Sequence, residues 1–140
     1  MSRLDEMATE YIIDLFAASS AARAGSGVTW FNRGFEHMKT ANFKRAVECY
    51  TRAIEINPGY KDAYFDRGNA YIYLSLFTEA MADFREVIRM DPDYADAYYC
   101  LGFASLLMGD VNNAKEGFRR ACALGLERAC AKLEGLRQGA

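Results

Sequence analysis

Few residues in this chain have the chemistry for catalysis or metal binding, and their spacing argues against both. The single histidine, His37, has no nucleophile motif beside it, and no glycine-rich phosphate loop is present. The four cysteines, Cys49, Cys100, Cys122 and Cys130, form no C-x-x-C pair and lack histidines at zinc-ligand spacing, so they read mostly as small buried residues. Cys122 and Cys130 straddle Gly125 and are placed to face each other across a helical hairpin, but an intracellular chain argues against a structural disulfide there. The run from Asp91 to Asp96 carries carboxylates as a calcium loop does. Pro92 interrupts it, and the central glycine and closing glutamate are missing. The expectation is a protein that is not an enzyme, with no catalytic residue, no metal and no cofactor.

A second set of chemistry-bearing residues has the character of a binding surface. Asp62 and Asp96 fall in the first turn of predicted helices, where a carboxylate gains about 0.3–1 kcal/mol from the unpaired amides. Asp66 has no such benefit. It lies one turn beyond Asp62 on the same face, and that like-charge spacing costs a few tenths of a kcal/mol (~0.2–0.5) unless a cation arrives.

The elements that position these residues follow from a repeat of 34 residues. Trp30, Tyr64 and Tyr98 are each followed four positions later by Gly34, Gly68 and Gly102. The same step relates Ala46, Ala80 and Ala114, then Tyr50, Phe84 and Phe118, then Ala53, Val87 and Ala121, and finally Pro58 and Pro92, with Leu126 in the third proline position. A glycine four after an aromatic lets a second helix come close, and the later alanine supplies the matching small surface. Such units are helical hairpins. None can bury its apolar stripe alone, so neighbours stack into a continuous core, and about three repeats make a stable array.

These columns resemble the tetratricopeptide repeat (TPR), in which an aromatic, a leucine-glycine pair, a tyrosine, an alanine, an aromatic, another alanine and a proline recur. The match runs from residue 27 to about 126, with Arg33 and Arg67 in place of the usual leucine, His37 and Ser105 in place of the usual tyrosine, and Leu126 in place of the closing proline. The resemblance implies an all-α, right-handed α-solenoid of three helix-turn-helix repeats. Predicted helices cover about 28–40 and 43–56, 61–74 and 77–90, and 95–108 and 111–124, broken at Asn57-Pro58-Gly59, Asp91-Pro92-Asp93 and Gly109-Asp110.

Two flanking segments complete the organisation. Residues 1–25 read as an N-terminal amphipathic helix and joint: Leu4, Met7, Ala8, Tyr11, Ile12, Leu15 and Phe16 share one face, Asp5, Glu6, Glu10 and Asp14 the other, and Gly25-Ser26-Gly27 breaks the helix. Residues 26–126 hold the repeats, at about 27–60, 61–94 and 95–126. Residues 127–140 read as a C-terminal capping helix with Ala129, Cys130 and Leu133 facing the third repeat. The N-terminal helix could cap the array beside Trp30, fold into the chain's own groove, or cross to a second molecule in a homodimer.

Composition sets further bounds. With 51% hydrophobic residues, 26% charged and a formal net charge of -2 over 140 residues, neither a disordered tail nor a nucleic-acid partner is expected. No stretch approaches the ~20 apolar residues of a membrane span. The acidic start and Asp14 disfavour a secretory leader, so a cytoplasmic location is expected.

In the resembling family the first helix of each hairpin lines a concave groove. The inward positions here are Phe31, Phe35, Met38 and Lys39, then Phe65, Asn69, Ile72 and Tyr73, then Tyr99, Phe103, Leu106 and Leu107. The fold's own columns are already aromatic, so this second column reads as surplus to packing and as a partner surface. Some family members grip the carboxylate end of chaperone tails with lysine, arginine and asparagine in this groove. The corresponding places here hold Phe31, Phe35, Asp66, Asp96 and Cys100, which implies an apolar segment flanked by Lys or Arg as the guest. The layout is also similar to that of tetratricopeptide secretion chaperones. The expected function is a protein-interaction module, adaptor or chaperone-like, with Phe31, Phe35, Phe65, Tyr73, Tyr99 and Phe103 as anchors, Asn69 as a backbone hydrogen-bond partner and Asp66 as the contact for a basic flank. The alternative is a self-associating scaffold whose N-terminal helix occupies its own or a partner's groove.

Overall fold

The computed structural model describes residues 3, 6, 8–13 and 27–139. Residues 8–13 are helical. Seven further helices follow: α1 Gly27–Lys39, α2 Phe43–Ile56, α3 Lys61–Tyr73, α4 Phe77–Met90, α5 Ala95–Leu107, α6 Val111–Ala123 and α7 Glu127–Gln138. No strand occurs among the described residues. Helices pair as α1/α2, α3/α4 and α5/α6, while α2 packs on α3, α4 on α5 and α6 on α7. The result is an all-helical solenoid of three hairpins closed by α7. Gly27, expected in a joint, instead opens α1 and is buried.

The 34-residue columns become the core. Trp30, Tyr50, Phe84 and Phe118 are buried, as are Ala46, Ala80, Ala114, Ala53, Val87 and Ala121. The glycine column has the close-approach role its spacing implied. A Cβ on Gly34 would lie 2.6 Å from the Tyr50 ring, one on Gly68 2.7 Å from Phe84, and one on Gly102 2.9 Å from the Ala114 carbonyl oxygen. Within each hairpin the turn also repeats: Ala41, Ser75 and Gly109 sit at φ of 58°, 59° and 82°. The next amide then closes a bond back five residues, as in Asn42 N to His37 O at 2.8 Å and Asp110 N to Ser105 O at 2.9 Å. Between repeats, Asn57 Oδ1 accepts from Gly59 N and Asp91 Oδ1 from Asp93 N, both at 3.1 Å, and these side-chain turns surround the prolines.

Arg67, which departs from the family pattern, is explained by its partners. Its Nε and Nη2 donate to the two oxygens of buried Asp83 at 2.8 and 2.7 Å, and Nη1 donates to Thr51 Oγ1 at 3.2 Å. The guanidinium lies near the rings of Tyr64 and Tyr71, 5.5 and 5.7 Å from their centroids.

At the C-terminal end, α7 buries Ala129 and Leu133 against Ala121, Phe118 and Tyr98. Cys122 and Cys130 are joined in a disulfide, with Cα atoms 4.8 Å apart. This corrects the expectation of free, buried thiols, which rested on compartment rather than on the hairpin geometry. Cys49 and Cys100 are free.

Of the N-terminal amphipathic helix, the described part exposes Tyr11, Ile12 and Ile13, with Tyr11 60% accessible. Glu10 pairs with Arg45 of α2 at 3.5 Å. Leu4, Asp5, Met7, Asp14, Leu15, Phe16, Gly25 and Ser26 lie outside the described residues.

Candidate functional site

The first helices of the hairpins, α1, α3 and α5, line one face, and a concavity of about 710 Å³ opens on it over the second and third repeats. Its apolar lining is Met38, Phe65, Ile72, Tyr73, Tyr99 and Phe103, and its polar lining is Asn69, Asp96, Cys100 and Arg128. Five of the eight expected site residues therefore share one cavity: Phe65, Asn69, Tyr73, Tyr99 and Phe103. Phe31, Phe35 and Asp66 lie outside its lining.

The aromatic column is not surplus to packing, which corrects the sequence reading. Phe31 stacks on Tyr60 with centroids 5.1 Å apart and leans on Tyr50 at 5.6 Å. Phe65 contacts Tyr94 at 5.2 Å and Phe84 at 5.8 Å, and Tyr99 contacts Phe118 at 5.3 Å. Each of the three therefore braces the ring behind it, and Phe65 and Tyr99 also line the cavity. Only Phe35 and Tyr73 of the expected anchors are freely exposed, at 50% and 65%. Tyr73 lies face to face with Phe43 at 4.5 Å, and Lys39 Nζ sits 5.2 Å from the centroid of Phe35.

The polar end of the cavity is built by three elements. Asn69 Oδ1 of α3 accepts from the Cys100 thiol of α5 at 3.7 Å. Burial first, and then Asp96, pushes that thiol up to about 12, which keeps it protonated and unreactive. Arg128, at the start of α7, pairs with Asp96 and lies 4.7 Å over the centroid of Tyr99. Arg128 went unremarked in the sequence, although it stands one repeat beyond Tyr94 and two beyond Tyr60. Those two tyrosines cover Phe65 and Phe31 just as Arg128 covers Tyr99.

Asp66 faces a different environment. It is half-buried on α3, accepts no hydrogen bond from any described residue, and its carboxyl is raised to about 6 by burial and then by Asp62. Nearby Tyr94 is pushed up to about 12, chiefly by burial and then by Asp62 and Asp66. Asp62 is exposed in the first turn of α3. No cluster of metal-ligating side chains occurs among the described residues, and none of their helices is long and apolar enough to cross a membrane.

Comparison with known proteins agrees with this architecture. Family models described as tetratricopeptide repeat match residues 28–60 and 49–82, and one described as TPR repeat matches residues 68–109. No curated protein sequence matches the chain significantly. Among solved structures, the second TPR domain of human RPAP3 in complex with the HSP70 peptide SGPTIEEVD is 27% identical. That alignment covers 83% of this chain and 98% of that one, with a TM-score of 0.75. The TPR domain of Arabidopsis OM64 is 25% identical over 82% of this chain and 97% of its own, with a TM-score of 0.78. MamA, at 22% identity, 99% and 85% coverage and a TM-score of 0.79, shares the fold.

Proposed function

The chain belongs to the tetratricopeptide repeat family, and from that premise we propose that it is a protein-interaction module whose concave face binds an apolar segment carrying a basic flank. The fold is that of neighbours which bind chaperone peptides ending in EEVD, but the guest differs. The observation that carries this reading is the 710 Å³ cavity lined by Met38, Phe65, Ile72, Tyr73, Tyr99 and Phe103. Its one lining cation, Arg128, is engaged by Asp96. An acidic tail entering there meets aromatic surface and the carboxylate of Asp96. An amphipathic helix instead lays apolar side chains at one-turn spacings against the rings.

The test is fluorescence anisotropy with two labelled amphipathic peptides of identical apolar face, one flanked by lysine and arginine and one ending in EEVD. The basic-flanked peptide is expected to bind more tightly. Tyr73→Ser and Phe103→Glu, each checked for native helicity, are expected to weaken it, with a central anchor worth ~2 kcal/mol or more. Preference for the EEVD peptide, or indifference to both substitutions, removes the reading.

A self-associating scaffold is the second reading, favoured by the exposed Tyr11, Ile12 and Ile13. Deleting residues 1–25 separates the two: a swapped dimer falls to monomer or aggregates, whereas a monomeric module keeps its mass and its peptide affinity.

A further inference from the structure

The turn from α6 to α7 is built like the turns inside the hairpins, yet the helix pair it joins lacks their lock. Gly125 at φ 98° stands where Ala41, Ser75 and Gly109 stand, and its amide donates to Cys122 O at 2.9 Å as Gly109 N does to Leu106 O at 3.0 Å. Nine residues beyond this turn the three hairpins place Tyr50, Phe84 and Phe118, the buried rings of the core; α7 has Glu134 there, and it is exposed. Of the twelve residues of α7 only Ala129 and Leu133 are buried, and Leu126 gives its first turn no side-chain cap. What joins this pair instead is covalent. Cys122 and Cys130 are bonded at the positions where the first hairpin packs Met38 on the Ala46 cluster and the third packs Leu106 on the Ala114 cluster.

The same bond closes the loop that carries one wall of the groove. Arg128, two residues before Cys130, lines the cavity, pairs with Asp96 and covers Tyr99. The side chains of that ion pair are 57% and 45% accessible, so the pair by itself holds little in water. With the sulfurs parted, the first turn of α7 is left with Ala129 and this exposed pair. Neither cysteine is fully buried, and Ala123, Leu124 and Glu127 beside them are exposed, which puts the bond within reach of a reductant.

We propose that the Cys122–Cys130 bond is a redox latch on the groove: oxidised, it holds Arg128 on Asp96 and Tyr99; reduced, it lets the first turn of α7 lift, which frees Asp96 for the basic flank of the guest. The reductant is a dithiol. One of its thiolates attacks a cysteine sulfur to form a mixed disulfide, and its second thiol then displaces that sulfur, so the dithiol leaves as a disulfide. Two electrons and two protons pass to Cys122 and Cys130, which become thiols. The effect on affinity rests on the concave face being the binding surface, whereas the release of α7 does not.

The experiment compares the oxidised chain with the chain in excess dithiothreitol, beside the Cys122→Ser/Cys130→Ser and Asp96→Asn variants, each checked for native helicity. Amide hydrogen exchange over residues 124–138, read by mass spectrometry, is expected to quicken about tenfold on reduction. The double serine variant is expected to exchange at the reduced rate with or without dithiothreitol. Affinity for the cysteine-free, lysine- and arginine-flanked peptide is expected to rise about fivefold on reduction, the worth of one exposed ion pair, and Asp96→Asn is expected to abolish that gain. Exchange in α7 that ignores reduction overturns the latch, as does a gain that survives in Asp96→Asn. Quicker exchange with no peptide bound in either state sinks the groove reading and supports the latch. Binding of the basic-flanked peptide that stays level or falls on reduction sinks the latch alone.

Discussion

The second and third repeats solve one packing problem in opposite ways. Between α3 and α4 the second repeat inserts a long charged side chain, Arg67, clamped on both oxygens of Asp83 and flanked by Tyr64 and Tyr71. The third repeat has Leu101, Gly117 and Ser105 at the positions of Arg67, Asp83 and Tyr71. There α5 and α6 approach until a Cβ on Gly117 would lie 2.8 Å from the Tyr98 carbonyl oxygen and 2.9 Å from Gly102 Cα. A cleft of about 250 Å³ beside Leu101, Ser105 and Gly117 is what this exchange leaves. The repeat therefore specifies a helix pair and not its interior chemistry, which is free to be ionic or backbone-to-backbone.

Breaking the ionic solution has the largest expected effect. Arg67→Ala strands a buried carboxylate, and such one-sided losses cost about 3–5 kcal/mol. The Arg67→Leu/Asp83→Ala double variant removes both charges and is expected to recover nearly all of that, because a buried pair barely repays its desolvation. Urea unfolding of the three proteins decides it. A double variant as unstable as Arg67→Ala would mean that shape, not charge, holds this hairpin.

The other solution is sharpened by Gly117→Ala. One added methyl meets three backbone atoms of α5 at 2.8–2.9 Å, so the helices must part, at a cost of about 1–3 kcal/mol. The same change at Gly135, where an added Cβ meets nothing within 4 Å, is the control and is expected to be neutral or mildly stabilising in urea. Equal losses at the two glycines would show that helix propensity and not close approach governs the third hairpin.

These contrasts explain what the sequence could reveal. The Gly34, Gly68 and Gly102 column and its aromatic partners were legible because stacking imposes one period on every hairpin. Helix ends were legible to about a residue because Pro58, Pro92 and Gly109 punctuate them. Arg128 escaped notice because it lies beyond the last recognisable repeat, although the step from Tyr60 and Tyr94 reaches it. Phe31, Phe65 and Tyr99 were half-misread: a column fixes the side of the helix but not how much of each ring rests on the neighbour behind it. The Cys122–Cys130 bond was obscured by an argument from compartment, when the hairpin at Gly125 already brought the two residues together.

The smallest effect concerns the groove side of the same comparison, where Asp66 stands in the second repeat and Cys100 in the third. Burial raises the Asp66 carboxyl from an ordinary value near 4 to about 6, so the folded chain binds that proton more tightly than the unfolded chain does. Stability from this group is then greatest below pH 4, falls as the pH climbs toward 6, and stays reduced above it. The full difference is about 3 kcal/mol, and the exposed part of the carboxylate discounts it to about 1–2 kcal/mol. Asp66→Asn should therefore be more stable than the parent at pH 7.5 by that amount, with the gap closing by pH 4, as read from thermal melts at the two values. A gap that persists unchanged at pH 4 would mean that the carboxylate carries no desolvation cost. A gap present only at high pH would show a fold that gives up stability at one position to keep a half-buried carboxylate ionised.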